Sequence, residues 1–261
     1  MSDSAEKPVK RGRRTAGRLT WPLRLLIPIV RNLSRLIFKE RFEGRERIPV
    51  EGPALLVLNH ISVLDPLATA SFVWTAGRVP SFMIKDSVFK VPVLGKLMAG
   101  SRQIAVSRGS AAAQASLDEA IATLRGGGIV AVYPEGTVTR DPDFWPMRAK
   151  TGVARIALSI PEVPVIPIAQ WGAHRAYDYH TKKVRLLPRK QTHIRALEPL
   201  DMAHFHGRND NEAARELTDT MMRALADEVG RLRDEPAPAE LYRFTNRKRD
   251  TNADGEATGT A

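Results

Sequence analysis

The chain has no cysteine, which excludes a disulfide framework, a thiolate nucleophile, an iron–sulfur cluster and a cysteine-based zinc site together. It is also poor in uninterrupted apolar sequence. The most apolar stretch, residues 19–42 (LTWPLRLLIPIVRNLSRLIFKERF), is broken by Arg24, Arg31 and Arg35. Those charges argue against a simple transmembrane span of about 20 predominantly apolar residues. With no small-residue cleavage site after them, the stretch does not read as a secretory signal either. Acidic residues are in deficit: 29 Asp+Glu face 40 Lys+Arg, a formal charge of +11. At 43% hydrophobic residues over 261 positions, the chain is long and apolar enough to bury a sizeable core. The excess charge calls for an acidic partner, whether nucleic acid, an anionic membrane or a phosphorylated substrate.

Most of the imbalance is local. Residues 1–48 hold 13 Lys/Arg against 5 Asp/Glu, leaving 27 against 24 for the remainder. Residues 1–18 lack periodicity and read as a disordered basic arm. Residues 19–39 read as an amphipathic helical segment. On a helix Arg31 and Arg35 fall within about 20° of Arg24, with Pro28 on the same stripe. Trp21, Leu26, Ile29, Val30, Leu33 and Ile37 cover the other faces. The pattern fits a helix lying in a membrane interface with its arginines toward headgroups, and equally a helix packed on the domain. Pro28 should kink it or divide it in two.

Beyond this segment, strand-like and helix-like runs alternate. Strands are expected at Ala54–Leu58, Ser81–Ile84, Gln103–Val106, Ile129–Tyr133 and Val163–Ile168, and a late pair at Val184–Leu187 and Thr192–Leu197. Helices are expected from Asp65 toward Gly77, over residues 110–125, at Gly152–Ile160 and at Asn211–Arg233. From residue 234 the chain reads as a disordered polar tail. The alternation predicts a single α/β domain over residues 40–233, with a mixed, largely buried sheet flanked by helices.

Two constellations carry chemistry. Asn59-His60 follows the buried strand ALLVL, and Asp65 stands five residues after the histidine. Polar groups at the end of a buried strand sit where α/β domains bind ligands. A histidine there can take a proton from a hydroxyl if a partner fixes its tautomer and stabilises the imidazolium, and Asp65 suits that part. The plainer reading makes His60 a turn residue and Asp65, before Pro66, a helix cap. Ser62 is a nucleophile on paper but lacks the Gly-x-Ser-x-Gly elbow. The second constellation is Tyr133-Pro134-Glu135-Gly136-Thr137 with Arg140 beyond it. Gly136 permits close backbone approach, Thr137 offers a hydroxyl, and Arg140 suits a phosphate. If the strands are parallel here, Lys85, Arg108 and Arg140 form a basic rim beside His60.

In this order the pieces resemble the glycerolipid acyltransferase family. Its Asn-His-x-Ser-x-x-Asp block is similar to residues 59–65. Its strand ending in arginine resembles Ile104–Arg108, its Phe-Pro-Glu-Gly-Thr block resembles Tyr133–Thr137, and its proline-bearing strand resembles Val163–Ile168. The Lys85…Phe89…Pro92…Gly95…Gly100 run and Lys150-Thr151-Gly152 also fit. The resemblance implies that His60 is a general base oriented by Asp65, and that an acceptor hydroxyl attacks an acyl thioester with no acyl-enzyme. It places Arg108, Glu135, Gly136 and Thr137 at or beneath the acceptor's phosphate, with Asn59, Ser62, Lys85, Arg140 and Lys150 as further substrate-binding candidates. Where the family often has arginine after Glu-Gly-Thr, this chain has Val138.

The implied partners are an acyl-CoA or acyl carrier protein thioester as co-substrate, a lysophospholipid acceptor, foremost 1-acyl-glycerol-3-phosphate, and an anionic membrane surface. No metal or other cofactor and no nucleic acid are expected, and the expected place is the cytoplasmic face of the cell membrane, peripheral or monotopic. Leu67, Phe72 and Trp74 could line an acyl groove or simply pack the core. Three rivals stay open: another lyso-lipid or glycolipid acceptor, a thioesterase using the same pair on water, and a non-enzymatic basic binding protein.

Overall fold

The computed structural model describes residues 20–244 apart from 93, 108 and 109. The basic arm at 1–18, Arg108 and the stretch from 245 onward lie outside the described residues. Among the described residues seven strands form one sheet: β1 (Phe38–Glu43), β2 (Ala54–Leu58), β3 (Pro80–Lys85), β4 (Ile104–Val106), β5 (Ile129–Val132), β6 (Val165–Trp171) and β7 (Lys190–Ala196). Their order is β1-β7-β6-β2-β5-β3-β4, parallel throughout except for the antiparallel pair β6–β7. Among the described residues six α-helices flank it: α1 (Trp21–Ile37), α2 (Asp65–Thr75), α3 (Leu94–Gly100), α4 (Ser110–Arg125), α5 (Gly152–Ser159) and α6 (Asn211–Arg233).

All five residues of β2 are buried, as a central parallel strand covered on both faces requires. Its side chains alternate between two cores. Leu55 and Val57 join the cluster under α4, α5 and α6, with Val130, Leu217, Met221 and Leu225. Ala54, Leu56 and Leu58 join the opposite cluster, with Phe72, Val73 and Ala131. Phe72 is wholly buried there, and Leu67 and Trp74 pack against it, so the core reading of those three residues holds. The parallel strands bring the C-terminal ends of β2, β3, β5 and β6 to one end of the sheet. Because β1 and β7 run the other way, their N-terminal ends lie at that same end.

Four sequence expectations need correction. First, α1 is not divided at Pro28: it is a single helix from Trp21 to Ile37, with Pro28 on its exposed side while Pro22, Leu23, Ser34 and Ile37 are buried. Packing against α2 and α3 offsets the backbone hydrogen bond that proline removes. Second, the segment from Phe38 is a strand: Phe38 and Phe42 face inward two turns of the period-2 pattern apart, and the Phe42 ring meets Phe72 edge-on at 5.3 Å. Its charged residues Lys39, Glu40, Arg41 and Glu43 occupy an edge strand, where they oppose unwanted pairing. Third, Val184–Leu187 is not a strand. It makes a single bridge, Tyr177 to Val184, while β7 takes its partners from β1 and β6. Fourth, residues 234–244 are docked. Ala237 and Leu241 pack on the core, Arg223 donates to the carbonyls of Pro238 and Ala239, and Met147 bridges to Tyr242.

The end of the sheet opposite His60 is tied by one buried cation. The Arg78 guanidinium donates to the carbonyls of Pro49 (2.7 Å), Gly52 (2.7 Å) and Gly127 (3.0 Å), gathering the turns that lead into β2 and β5. Arg78→Met should lower the unfolding free energy by about 3 kcal/mol by leaving those acceptors unpaired. Urea unfolding measures it, and activity of the remaining folded fraction should stay near wild type, since the site lies at the other end.

Candidate active site

Chain direction alone brings the end of β2, the start of α2 and the end of β5 together. The decisive group is Asp65. Its Oδ2 accepts hydrogen bonds from the backbone N–H of Ile61 (2.6 Å) and Ser62 (2.8 Å) and lies 2.9 Å from His60 Nδ1. Asp65 makes no cap to the helix it opens. The carboxylate is turned back over the preceding turn, so the helix-cap reading is replaced by the His–Asp pairing. Asp65 is completely buried, and that burial pushes its carboxyl above the usual range against the pull of the imidazole and the two N–H groups. With Nδ1 committed to Asp65, Nε2 is the imidazole nitrogen left to take up a proton. The ring lies on the face of Tyr133, centroids 4.3 Å apart. Burial raises the Tyr133 phenol well above its ordinary value, so it stays neutral beneath the imidazole, with its hydroxyl 3.1 Å from Thr69 Oγ1.

Glu135 fixes the backbone of the histidine itself. Its Oε1 accepts from His60 N–H (2.8 Å) and its Oε2 from Met147 N–H (3.1 Å). One carboxyl thus joins the turn after β2 to the loop after β5, and Thr139 N–H adds a bond to His60 O at 2.7 Å. Burial drives the Glu135 pKa up to about 8, opposed by those two N–H groups. Asn59, also wholly buried, is locked to β6: its Nδ2 donates to Gln170 O, its Oδ1 accepts from Gln170 N–H, and its own carbonyl accepts from Gln170 Nε2 at 2.6 Å. Sequence reasoning assigned Gln170 no part. The available signal was a polar side chain in the otherwise apolar run VIPIAQW.

A cavity of about 670 Å³ opens beside His60. Lys85, Gly136, Thr137 and Lys150 stand on its wall with His60, and Phe82, Met83, Ile84, Val132, Leu117 and Ile156 make most of the rest apolar. Gly136 is in the left-handed region at φ +67°, which favours glycine; a Cβ there would only reach ordinary contact with the Lys150 side chain. Other candidates sit elsewhere. Asn59 and Ser62 are buried outside this wall, and Ser62 Oγ donates to Tyr177 O at 2.9 Å, holding the turn. Arg140 turns away: it donates to Tyr179 Oη at 3.0 Å and its guanidinium covers that ring at 4.6 Å. The cationic rim read as Lys85, Arg108 and Arg140 therefore has Lys85 and Lys150 as its described members. Glu135 lies beneath the wall as an organiser of the loop, and Val138 is buried at 4% exposure.

The family model described as Acyltransferase matches residues 39–171, about half of the chain and every group of this site. The chain belongs to the acyltransferase family. A Caenorhabditis elegans protein named as a candidate 1-acyl-sn-glycerol-3-phosphate acyltransferase is 34% identical over 127 residues, covering 48% of this chain and 43% of its own length. Arabidopsis thaliana N-acylphosphatidylethanolamine synthase is 27% identical over 163 residues, covering 57% of this chain and 56% of its own. The chain thus spans about half the length of these relatives. The solved 1-acyl-sn-glycerophosphate acyltransferase PlsC of Thermotoga maritima shares the fold, with a TM-score of 0.60 at 23% identity over 85% of this chain and 83% of that one. The family match begins within β1, and α1 precedes it.

Glu135 yields a pH test. In the folded state its carboxyl keeps a proton up to about 8, whereas the unfolded chain releases it near 4.5. Stability from this group is therefore greatest at low pH and declines as pH rises between those values, by at most about 1.4 kcal/mol per unit. Glu135→Gln should be less stable than wild type, since an amide cannot accept from both N–H groups. The gap in urea midpoint should narrow as pH is raised across that window, and a constant gap would contradict the assignment.

Proposed function

We propose that this acyltransferase moves a fatty acyl group from a CoA or acyl carrier protein thioester to the hydroxyl of a 1-acyl-glycerol-3-phosphate, giving phosphatidic acid for lipid biosynthesis. The observation that carries the reading is the inward-turned Asp65 carboxylate at 2.9 Å from His60 Nδ1, beside a cavity that is apolar within and carries Lys85 and Lys150 on its wall. The names of the relatives support the acceptor class.

In this mechanism the acceptor hydroxyl gives its proton to His60 Nε2 as its oxygen attacks the thioester carbonyl. Asp65 holds the imidazolium that forms. The tetrahedral oxyanion collapses, the carbon–sulfur bond breaks, and the imidazolium returns the proton to the departing thiolate. The thioester is already activated, so the protein's share is chiefly positioning and one proton transfer. Lys85 and Lys150 pair with the acceptor's phosphate, and the apolar wall takes acyl chain. Glu135 and Gln170 act through the backbone they hold. No acyl-serine is formed, because the Ser62 hydroxyl is engaged with the Tyr177 carbonyl.

The substrates reside in bilayers, and α1 supports a location there. None of the described helices is long and apolar enough to cross a membrane. Yet α1 exposes Trp21, Leu25, Ile29, Leu33 and Leu36 beside the exposed arginines Arg24 and Arg35. On this reading α1 lies on the anionic cytoplasmic leaflet and the enzyme is peripheral.

A second acceptor has one observation behind it: Val138, where a headgroup cation is common in the family, is buried. An acceptor screen with labelled acyl-CoA, read by product mass, decides among lysophosphatidate, other lyso-lipids and phosphatidylethanolamine. Thiol release should require acceptor, and release with water alone would make the protein a thioesterase. His60→Ala should lower turnover at least about a hundredfold. Ser62→Ala should keep turnover within a few fold while lowering the melting temperature, and a dead but folded Ser62→Ala would point to an acyl-enzyme.

A further inference from the structure

The segment expected to be a strand at Val184–Leu187 is an exposed apolar loop. Residues 181–189 are all exposed, with Val184 at 59%, Leu186 at 40% and Leu187 at 76%. A solvent-facing turn has no use for three such side chains in four positions. Cations surround them. Between residues 173 and 190 stand Arg175, Lys182, Lys183, Arg185, Arg189 and Lys190 against Asp178 alone. None of the six forms an ion pair with a described carboxylate. The Asp178 carboxylate is occupied, accepting from His180 N–H, Thr181 N–H and Thr181 Oγ1.

The loop is built. Asp178 N–H donates to Lys183 O and Arg185 N–H to Ala176 O, folding 176–185 back on itself, and the Arg189 guanidinium clamps the loop's end to Phe38 O. At its base a cavity of about 440 Å³ is lined by Arg175, Lys183, Arg185 and Lys190, with Asp178 on its wall. Its position is set by the sheet. Phe38 pairs with Lys190 in parallel register, so the loop entering β7 and the end of α1 entering β1 are neighbours. Both lie at the end of the sheet that carries His60. The exposed Leu33 and Leu36 of the last turns of α1 and the exposed Leu186 and Leu187 thus belong to segments that enter neighbouring strands at this end of the sheet.

We propose that residues 181–189 are a second membrane-contact element, in which Val184, Leu186 and Leu187 enter the interfacial layer of an anionic bilayer while the cation-lined cavity at their base receives a lipid headgroup phosphate. Basic charge around an apolar tip matches such a leaflet: the apolar groups supply insertion, and the cations select negative headgroups. Together with α1 it makes a two-point footing, and two contacts at fixed spacing bind far more tightly than either alone. The inference rests on the reading of this protein as an enzyme of the bilayer surface.

The test uses the full chain and phosphatidylcholine vesicles with and without phosphatidylglycerol. Because the protein has no cysteine, Leu187→Cys carries one environment-sensitive fluorophore, whose emission should shift to the blue on vesicles containing phosphatidylglycerol. Leu186→Ser with Leu187→Ser, and separately Lys183→Glu with Arg185→Glu, should each weaken vesicle binding at least about tenfold. All four side chains are exposed or line the open cavity, so thermal melting and acyl transfer to detergent-dispersed acceptor should match wild type. Vesicle binding by both double variants equal to wild type, or an unshifted probe on bound protein, overturns the proposal, as does loss of binding only in a Leu25→Ser, Ile29→Ser variant of α1. Should wild type bind vesicles through the loop yet transfer no acyl group to any acceptor, the enzymatic reading fails and this one stands.

Discussion

Three hydrogen-bond donors converge on a single oxygen of Asp65: the imidazole and the N–H groups of Ile61 and Ser62. The proposed chemistry depends on that convergence. Burial of this carboxyl is offset on one side, where the three donors meet Oδ2, while Oδ1 is buried without a partner, and the donors can converge only if the chain doubles back between β2 and α2. The turn is thus shaped by the need to solvate one anion with backbone, and the histidine's orientation follows. Tyr133 below the ring and Glu135 behind the His60 amide remove what freedom remains.

The supporting groups form a connected shell. Glu135 joins the turn to the loop after β5, Asn59 and Gln170 join it to β6, and Ser62 joins it to Tyr177 in the loop after β6. All but the Met147–Glu135 bond, which lies within the loop after β5, link different strands or the segments that follow them, so the sheet holds the site's parts together. This is the usual advantage of an active site at strand ends. The cost is several polar groups removed from water, and Glu135 is the member in which that cost is plainest.

Much of this was legible in the sequence. The histidine, the aspartate five residues on, the Glu-Gly-Thr block and the alternation of strands and helices are local patterns, and the fold places them as local patterns imply. What was hidden is non-local. Asn59 and Gln170 are 111 positions apart, and nothing in either neighbourhood names the other. Arg140 looked like a phosphate ligand because arginine near a glycine turn is suited to one, yet the Tyr179 ring that captures it comes from a distant loop. The strand β1 was masked because its Phe38 and Phe42 continue the apolar count of the preceding helix. Val184–Leu187 misled for the converse reason: its β-branched and leucine residues read as sheet, but β7 has both edges filled by β1 and β6, leaving no place beside it for the expected partner.

The junction between α1 and β1 has a mechanical consequence. Ile37 closes the helix and Phe38 opens the strand with no residue between them, and Phe38 is wholly buried. A flexible linker would make α1 a leash, letting the body tumble beneath whatever surface α1 grips. Direct continuation makes it a rigid mount: on any surface that α1 grips, the tilt of that helix would set the height and bearing of His60, whose end of the sheet is fixed relative to α1 by the fold.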